Sequence, residues 1–235
     1  LTRGRVMSQP IARYGVIGGM IETANNLAKD YAISREACDA YAAMSHQRAA
    51  AAWAAGKFDD ELVPVSVPQR KGDPIVFARD EGIRADATPE SLGRLRVIEK
   101  DGVVTAGNAS QQNDAGAACL VVAEDKLAEL GLEPMGFLHS WAAAGCDPSR
   151  MGIGPVPAVA KLFARSGLGW KDIDLVELNE AFAPQVLACL KGWGWDDRDR
   201  LNVNGSGISL GHPIGATGGR ILANLTRELV RRGGR

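Results

Sequence analysis

Seven apolar residues in a row, Ala117-Ala118-Cys119-Leu120-Val121-Val122-Ala123, constrain this chain more than any other feature. Such a run has no polar face to give to water. It fits a strand buried on both faces, as in parallel sheets covered by helices. It is far too short to cross a bilayer, which takes ~20 residues. Downstream the pattern alternates. Residues 137–144 and 172–178 read as further strands, and residues 125–130 as a short helix stopped at Gly131. Residues 157–166, 181–191 and 214–232 read as helices, the last with Ile221, Leu222, Leu225, Leu229 and Val230 on one face. Strands alternating with helices are the signature of an α/β fold.

The first hundred residues differ. Residues 1–19 are rich in Gly, Pro and Arg and have no period, so they read as an irregular surface segment. Residues 20–31 suit a short helix. Ser34 suits an N-cap, with Glu36 placed to complement the dipole of a second helix that carries Ala40, Tyr41, Met44 and Ala51 and ends near Gly56. Residues 61–68 alternate at period two, but Pro64 and Pro68 confine them to an edge strand. Residues 69–100 are charged and turn-rich. This part reads as an insertion or cap, not as a sheet core.

Lys plus Arg number 27 against 28 Asp plus Glu, a net charge of -1. That balance gives no global electrostatic reason to bind nucleic acid or an anionic membrane. No charged-then-apolar leader opens the chain. Leu1 in place of Met, and a C-terminus of Gly233-Gly234-Arg235 directly after a helix, lead us to expect a longer polypeptide at both ends. The cysteines, Cys38, Cys119, Cys146 and Cys189, show no CxxC or metal-ligand spacing, and there are only three histidines. We therefore expect no metal, and free thiols in a reducing, cytoplasmic compartment.

Two segments carry the chemistry. In Glu177-Leu178-Asn179-Glu180-Ala181-Phe182-Ala183 a polar pair sits where a strand turns into a helix, the place where α/β sheets bind ligands. Asn179 suits either a helix cap or an amide that holds a water or an oxyanion. The second segment, residues 202–220, holds six glycines in 19 residues and opens a helix. Within it, Gly211 and Pro213 fix the backbone around His212 and leave its side chain space, which suits a general base. A phosphate-binding turn is the alternative. The segment lacks the Lys-Ser/Thr of a P-loop and the spacing of a dinucleotide fingerprint.

Four motifs in order resemble the thiolase family, enzymes that make or break a carbon–carbon bond in 3-ketoacyl-CoA. They are Val104-Thr105-Ala106-Gly107-Asn108-Ala109-Ser110, Met151-Gly152-Ile153-Gly154-Pro155-Val156-Pro157-Ala158, Asn179-Glu180-Ala181-Phe182, and Gly211-His212-Pro213 in its glycine loop. The intervening chain is similar from about Gly19 to Arg235.

The resemblance implies a thiolase-like five-layer αβαβα fold with a loop (cap) domain, incomplete in these residues. Residues 1–102 would be most of the loop domain, 103–133 the closing segment of the first half, and 134–235 most of the second half. In that family a nucleophilic Cys takes the acyl group as a thioester, and a second Cys shuttles a proton. A His matching His212 keeps the nucleophile as thiolate. An Asn matching Asn179 holds a water in an oxyanion hole to which the same His contributes. Arg84 and Ser91 match positions facing the nucleotide part of CoA. Ser110 matches one that bonds the pantetheine arm, and Met20, Ala181 and Phe182 match positions lining the pantetheine and acyl tunnel. For Arg84 a solvated surface charge, and for Ser110 a helix cap, remain the simpler readings.

The departures are specific. Both family cysteines fall in segments beyond these residues. Of the four present, Cys119 lies in the apolar run expected to be buried, Cys189 on a helix face, Cys38 on a cap helix and Cys146 near a turn, all structural readings. Gly19 stands where many relatives carry His, which bears on the acyl pocket. No cofactor beyond CoA as substrate is implied; acyl-CoA and CoA are the expected partners, in a homodimer or homotetramer. The competing reading is a non-catalytic thiolase-like protein that binds acyl chains or a partner subunit. A ketoacyl synthase fits poorly, because His139 sits in no matching motif.

Overall fold

In a computed structural model, residues 18–234 are described. Helix α1 spans Met20–Asp30 and α2 spans Arg35–Ala54. Ser34 caps α2 as its residue type requires: its Oγ accepts the Ala37 N–H at 3.2 Å. The alanine-rich α2 lets neighbours approach closely. It packs against α3 (Pro89–Gly93), α6 (Ala183–Trp193) and the single turn α7 (Gly207–Leu210). The core joins Leu27 of α1, Cys38, Tyr41 and Ala42 of α2, Val186 and Leu190 of α6, and Leu178, Leu201 and Ile208 from the segments between. The helices of the expected cap thus build the same core as those of the second half.

Several expectations at the level of elements hold. The edge strand forms as β1 (Val65–Val67), paired antiparallel with β2 (Ile75–Phe77), and both are exposed. The short helix α4 (Leu127–Leu130) ends at Gly131, whose φ of 63° needs no Cβ. Helices α5 (Pro155–Ser166) and α8 (Thr217–Arg232) complete the set.

The three buried strands do not form. Residues 117–123 carry no ladder, and Leu120 and Val121 are 78% and 82% exposed. Residues 137–144 are likewise without strand, and Phe137, Leu138 and Trp141 are exposed. Of residues 172–178 only Val176 is bridged, in parallel, to Leu201. Cys119, expected inside, is therefore exposed. A strand's hydrogen bonds belong to its neighbours, and among the described residues these segments have no ladder partner.

Helix α8 also presents an unexpected face. Leu222 and Val230 are exposed, whereas Thr217, Asn224 and Glu228 are buried. The reason is an ionic knot. Glu228 accepts from Lys57, Asn204, Arg231 and Arg232, and these bonds hold its carboxyl down to about 2 against the desolvation that opposes them.

Candidate active site

The segment before α6 is fixed by one side chain. Asn202 adopts a left-handed φ of 45°, a conformation Asn tolerates. Its Nδ2 donates to Leu178 O and its Oδ1 accepts the Leu178 N–H, both at 2.8 Å. The amide thereby extends the Val176–Leu201 bridge by one residue. The chain then turns through Asn179 and Glu180, and α6 begins at Ala183 with Phe182 as its N-cap residue. Asn179 therefore does not cap the helix. Its Oδ1 is buried without a protein partner, against the backbone of Gly207. A Cβ on Gly207 would lie 2.8 Å from that oxygen and 2.7 Å from Glu180 O, so only glycine allows this approach.

Glu180, 1% exposed, belongs to the polar pair and motif named from sequence but was given no role there. Its carboxylate accepts from Tyr41 Oη at 2.8 Å, Ser45 Oγ at 2.6 Å, Asn202 Nδ2 at 3.1 Å and the Ile208 N–H at 3.2 Å. One acid so ties α2, the Asn179 turn and the glycine loop together. Burial pushes its pKa up, and the four bonds oppose this. An acidic residue entering an otherwise apolar helix start was the available signal.

His212 follows Gly211, whose φ of 96° carries the chain out of α7. The Ile214 N–H donates to His212 O at 2.9 Å, and the Ala216 N–H to Pro213 O at 2.6 Å. The imidazole Nδ1 lies 2.7 Å from Thr217 Oγ1. Burial, then the Arg220 guanidinium, lowers the His212 pKa, so the ring is neutral at neutral pH. Arg220 donates to Ser206 Oγ at 3.3 Å. Nearby, burial raises the Glu177 carboxyl to about 8, opposed by Arg220.

The substrate-binding candidates divide. The Ser110 N–H donates to Ala181 O at 2.9 Å, Ala109 bridges Phe182, and the Ala183 N–H donates to Asn108 O. Ser110, Ala181 and Phe182 are thus one unit, adjoining Asn179. Arg84 is exposed; its N–H donates to His46 Nδ1, and its loop is tied to the glycine loop by Gln111, whose Nε2 donates to Gly82 O, Ile208 O and Ser209 O. Met20 opens α1 on the surface. Ser91 is occupied locally: its hydroxyl and the Thr88 side chain form a capping box on α3. Burial pushes the Cys38 and Cys189 thiols up to about 12, which leaves them inert. Among the described residues no thiol is hydrogen-bonded to His212.

Residues 14–125 match the thiolase N-terminal domain and residues 132–235 the thiolase C-terminal domain. The acetyl-CoA acetyltransferase of Chromobacterium violaceum is 53% identical over 212 residues, 90% of this chain and 54% of that protein. A probable acetyl-CoA acyltransferase of Staphylococcus aureus is 51% identical, over 88% of this chain and 53% of that protein. The chain thus spans about half the length of the curated relatives it matches. Among solved structures, the acetyl-CoA acetyltransferase of Bacillus anthracis superposes with a TM-score of 0.88 at 45% identity, over 94% of this chain and 58% of that one. Human mitochondrial 3-ketoacyl-CoA thiolase in complex with CoA superposes with a TM-score of 0.82 at 44% identity, over 92% of this chain and 53% of that one. The chain's course is that of the thiolase α/β fold even where its ladders are open, and with the N- and C-terminal thiolase domains matched in order over most of its length, the chain belongs to the thiolase family.

Proposed function

We propose that this protein is an acyltransferase of the thiolase class. It cleaves 3-ketoacyl-CoA with CoA, or runs the reverse Claisen condensation of acyl-CoA. The reading rests most on one observation: His212 sits half-buried on the tight turns of the glycine loop, with its Nδ1 2.7 Å from Thr217 Oγ1.

The chemistry assigns these residues distinct tasks. His212 takes the proton of a nucleophilic thiol supplied from outside these 235 residues. The thiolate attacks the 3-keto carbon. The tetrahedral oxyanion then collapses, the C2–C3 bond breaks, and its electron pair leaves as the enolate of acyl-CoA, which takes the proton of the second cysteine's thiol. The thiol of a second CoA gives its proton to that cysteine and attacks the thioester, releasing the shortened acyl-CoA and the nucleophilic thiolate, which recovers its proton from His212. Asn179 serves the oxyanion through a water, with its oxygen desolvated beside Gly207. Ser110, Ala181 and Phe182 line the pantetheine and acyl path, Met20 its surface end, and Arg84 and Ser91 face the nucleotide part of CoA. A thioester intermediate divides one hard step into two.

We further assign the cap to residues 1–102, the closing segment to 103–133 and the second half to 134–235. The free thiols support a reducing, cytoplasmic compartment, and the proposed 3-ketoacyl-CoA chemistry assigns the protein to fatty acid metabolism. The exposed apolar hairpin of Val65, Val67, Ile75 and Phe77 supports assembly as a homodimer or homotetramer. Among the described residues no helix is long and apolar enough to cross a membrane.

The test begins with the mass of the intact protein under denaturing conditions, followed by thiolysis of acetoacetyl-CoA and of longer 3-ketoacyl-CoA. Activity abolished by His212→Ala is expected. Undiminished turnover in that variant removes the role of His212, and failure of the intact protein to form an acyl-enzyme favours the binding-only reading.

A further inference from the structure

We infer that Thr217 is the positioning residue of the site: its hydroxyl accepts the His212 Nδ1 proton, locks the ring, and leaves Nε2 as the basic nitrogen. The proposal rests on the proposed function for the identity of the working nitrogen. Its geometric part stands on the loop itself.

Thr217 is the first residue of α8 and only 6% exposed. Its Cα is therefore set by a helix of 16 residues. The two tight turns at Ile214 and Ala216 bring the chain back beneath His212 after five residues, and they place Oγ1 at 2.7 Å from Nδ1. That distance is within the N–H···O range. Thr is β-branched, so its χ1 choices are few and the position of its Oγ1 is held. Among the described hydrogen bonds this is the one made by the imidazole.

A neutral imidazole carries one N–H, and the nitrogen that donates leaves the other bare. If Nδ1–H is spent on Thr217, Nε2 is ready to receive a thiol proton. Once it has done so, the same Nε2–H is a donor aimed at the oxyanion. One tautomer thus serves both tasks without a ring flip. The neutral state is favoured by partial burial and by Arg220, the charged group whose field reaches this ring.

The test is the ¹⁵N spectrum of the histidine-labelled protein, with the His212 signal assigned by its loss in His212→Gln. Wild type is expected to show protonated Nδ1 and bare Nε2 in His212. Thr217→Val is expected to shift the tautomer ratio by about fivefold or more toward Nε2–H, since the acceptor is gone. Thr217→Ser should restore the wild-type pattern. Circular dichroism and the melting temperature establish that each variant is folded. If the valine variant does not fold, the wild-type tautomer and the serine variant decide. A His212 protonated mainly on Nε2 in wild type, an unchanged ratio in Thr217→Val, or no rescue by serine each overturns the proposal. None of these readings needs turnover. Wild type with the expected tautomer but no thiolysis sinks the proposed function and leaves the positioning of His212 standing. In active protein, Thr217→Val should lower kcat by about tenfold with KM within about twofold.

Discussion

Two stretches meet opposite fates, and the more apolar of them is the exposed one. Residues 175–211 are packed against α2 and α6, and their polar atoms are largely spent: Asn202 on Leu178, Glu180 on four donors, Ser209 on Ser45. Residues 117–144 contain the strongest strand pattern in the chain, yet Leu120, Val121, Leu138 and Trp141 are exposed. The first stretch carries side chains, above all Asn202 and Glu180, that complete its hydrogen bonds across elements. The second offers only backbone edges and aliphatic surface, which gain nothing until another segment pairs with them. Hydrophobic pattern alone did not separate the two; polar connectors did.

Thiol labelling gives the largest contrast. Cys119 and Cys146 are exposed, whereas Cys38 and Cys189 are buried with thiols raised to about 12. The exposed pair should react with a maleimide or disulfide reagent on the order of a thousandfold faster, and the buried pair only on unfolding. Mass spectrometry of a labelling time course checks this, and rapid labelling of Cys189 would dissolve the distinction between the regions.

Removing the central acid comes next. Glu180→Ala strands the Tyr41 and Ser45 hydroxyls, the Asn202 amide and the Ile208 N–H, and should cost about 3–5 kcal/mol in urea unfolding. A loss under about 1 kcal/mol would show that the knot is not what holds the Asn179 turn. Leu190→Ala, in the same core, should cost about 2–4 kcal/mol by opening a cavity.

Two carboxyls set the pH limbs. Glu228 is lowered from 4.5 to about 2, so its contribution is fully present above pH 4.5 and is lost as pH falls toward 2. Glu177 is raised from 4.5 to about 8, so its neutral form favours the fold at low pH, and that contribution is lost as pH rises through about 8. Denaturation midpoints across pH should therefore flatten between about pH 2 and 4.5 in Glu228→Gln and between about pH 4.5 and 8 in Glu177→Gln. The smallest effect belongs to the open region: Leu120→Lys should change stability by no more than about 0.5 kcal/mol.

The functional residues were legible to different depths. His212 and Asn179 were marked by their glycine and helix-start contexts, and the structure puts each on a rigid turn. Ser110, Ala181 and Phe182 were named separately, and one bridge unites them. Glu180 was named in its motif without a role and Gln111 not at all, because their partners Ser45 and Ile208 lie 135 and 97 residues away; Thr217 lies only five residues from His212, but nothing in the residue order says that the loop folds back on itself. Ser91 was named from the family match alone, and its place as the N3 partner of the Thr88 cap is a local feature, decided within three residues.

The sequence by itself determined the longer helices and several of their caps and stops, though not the short α3 and α7. Each helix closes its hydrogen bonds within its own residues, so Ser34, Gly131 and the spacing of α2 and α8 carry that information locally. Only the tertiary structure decided which face of α8 is buried, because periodicity names the residues that share a face and not the neighbour it meets; Lys57 and Asn204 drew the Glu228 side inward. Only the tertiary structure decided the strands as well, since a strand's hydrogen bonds are made by another segment, and an apolar run such as residues 117–123 states a need for partners without supplying them.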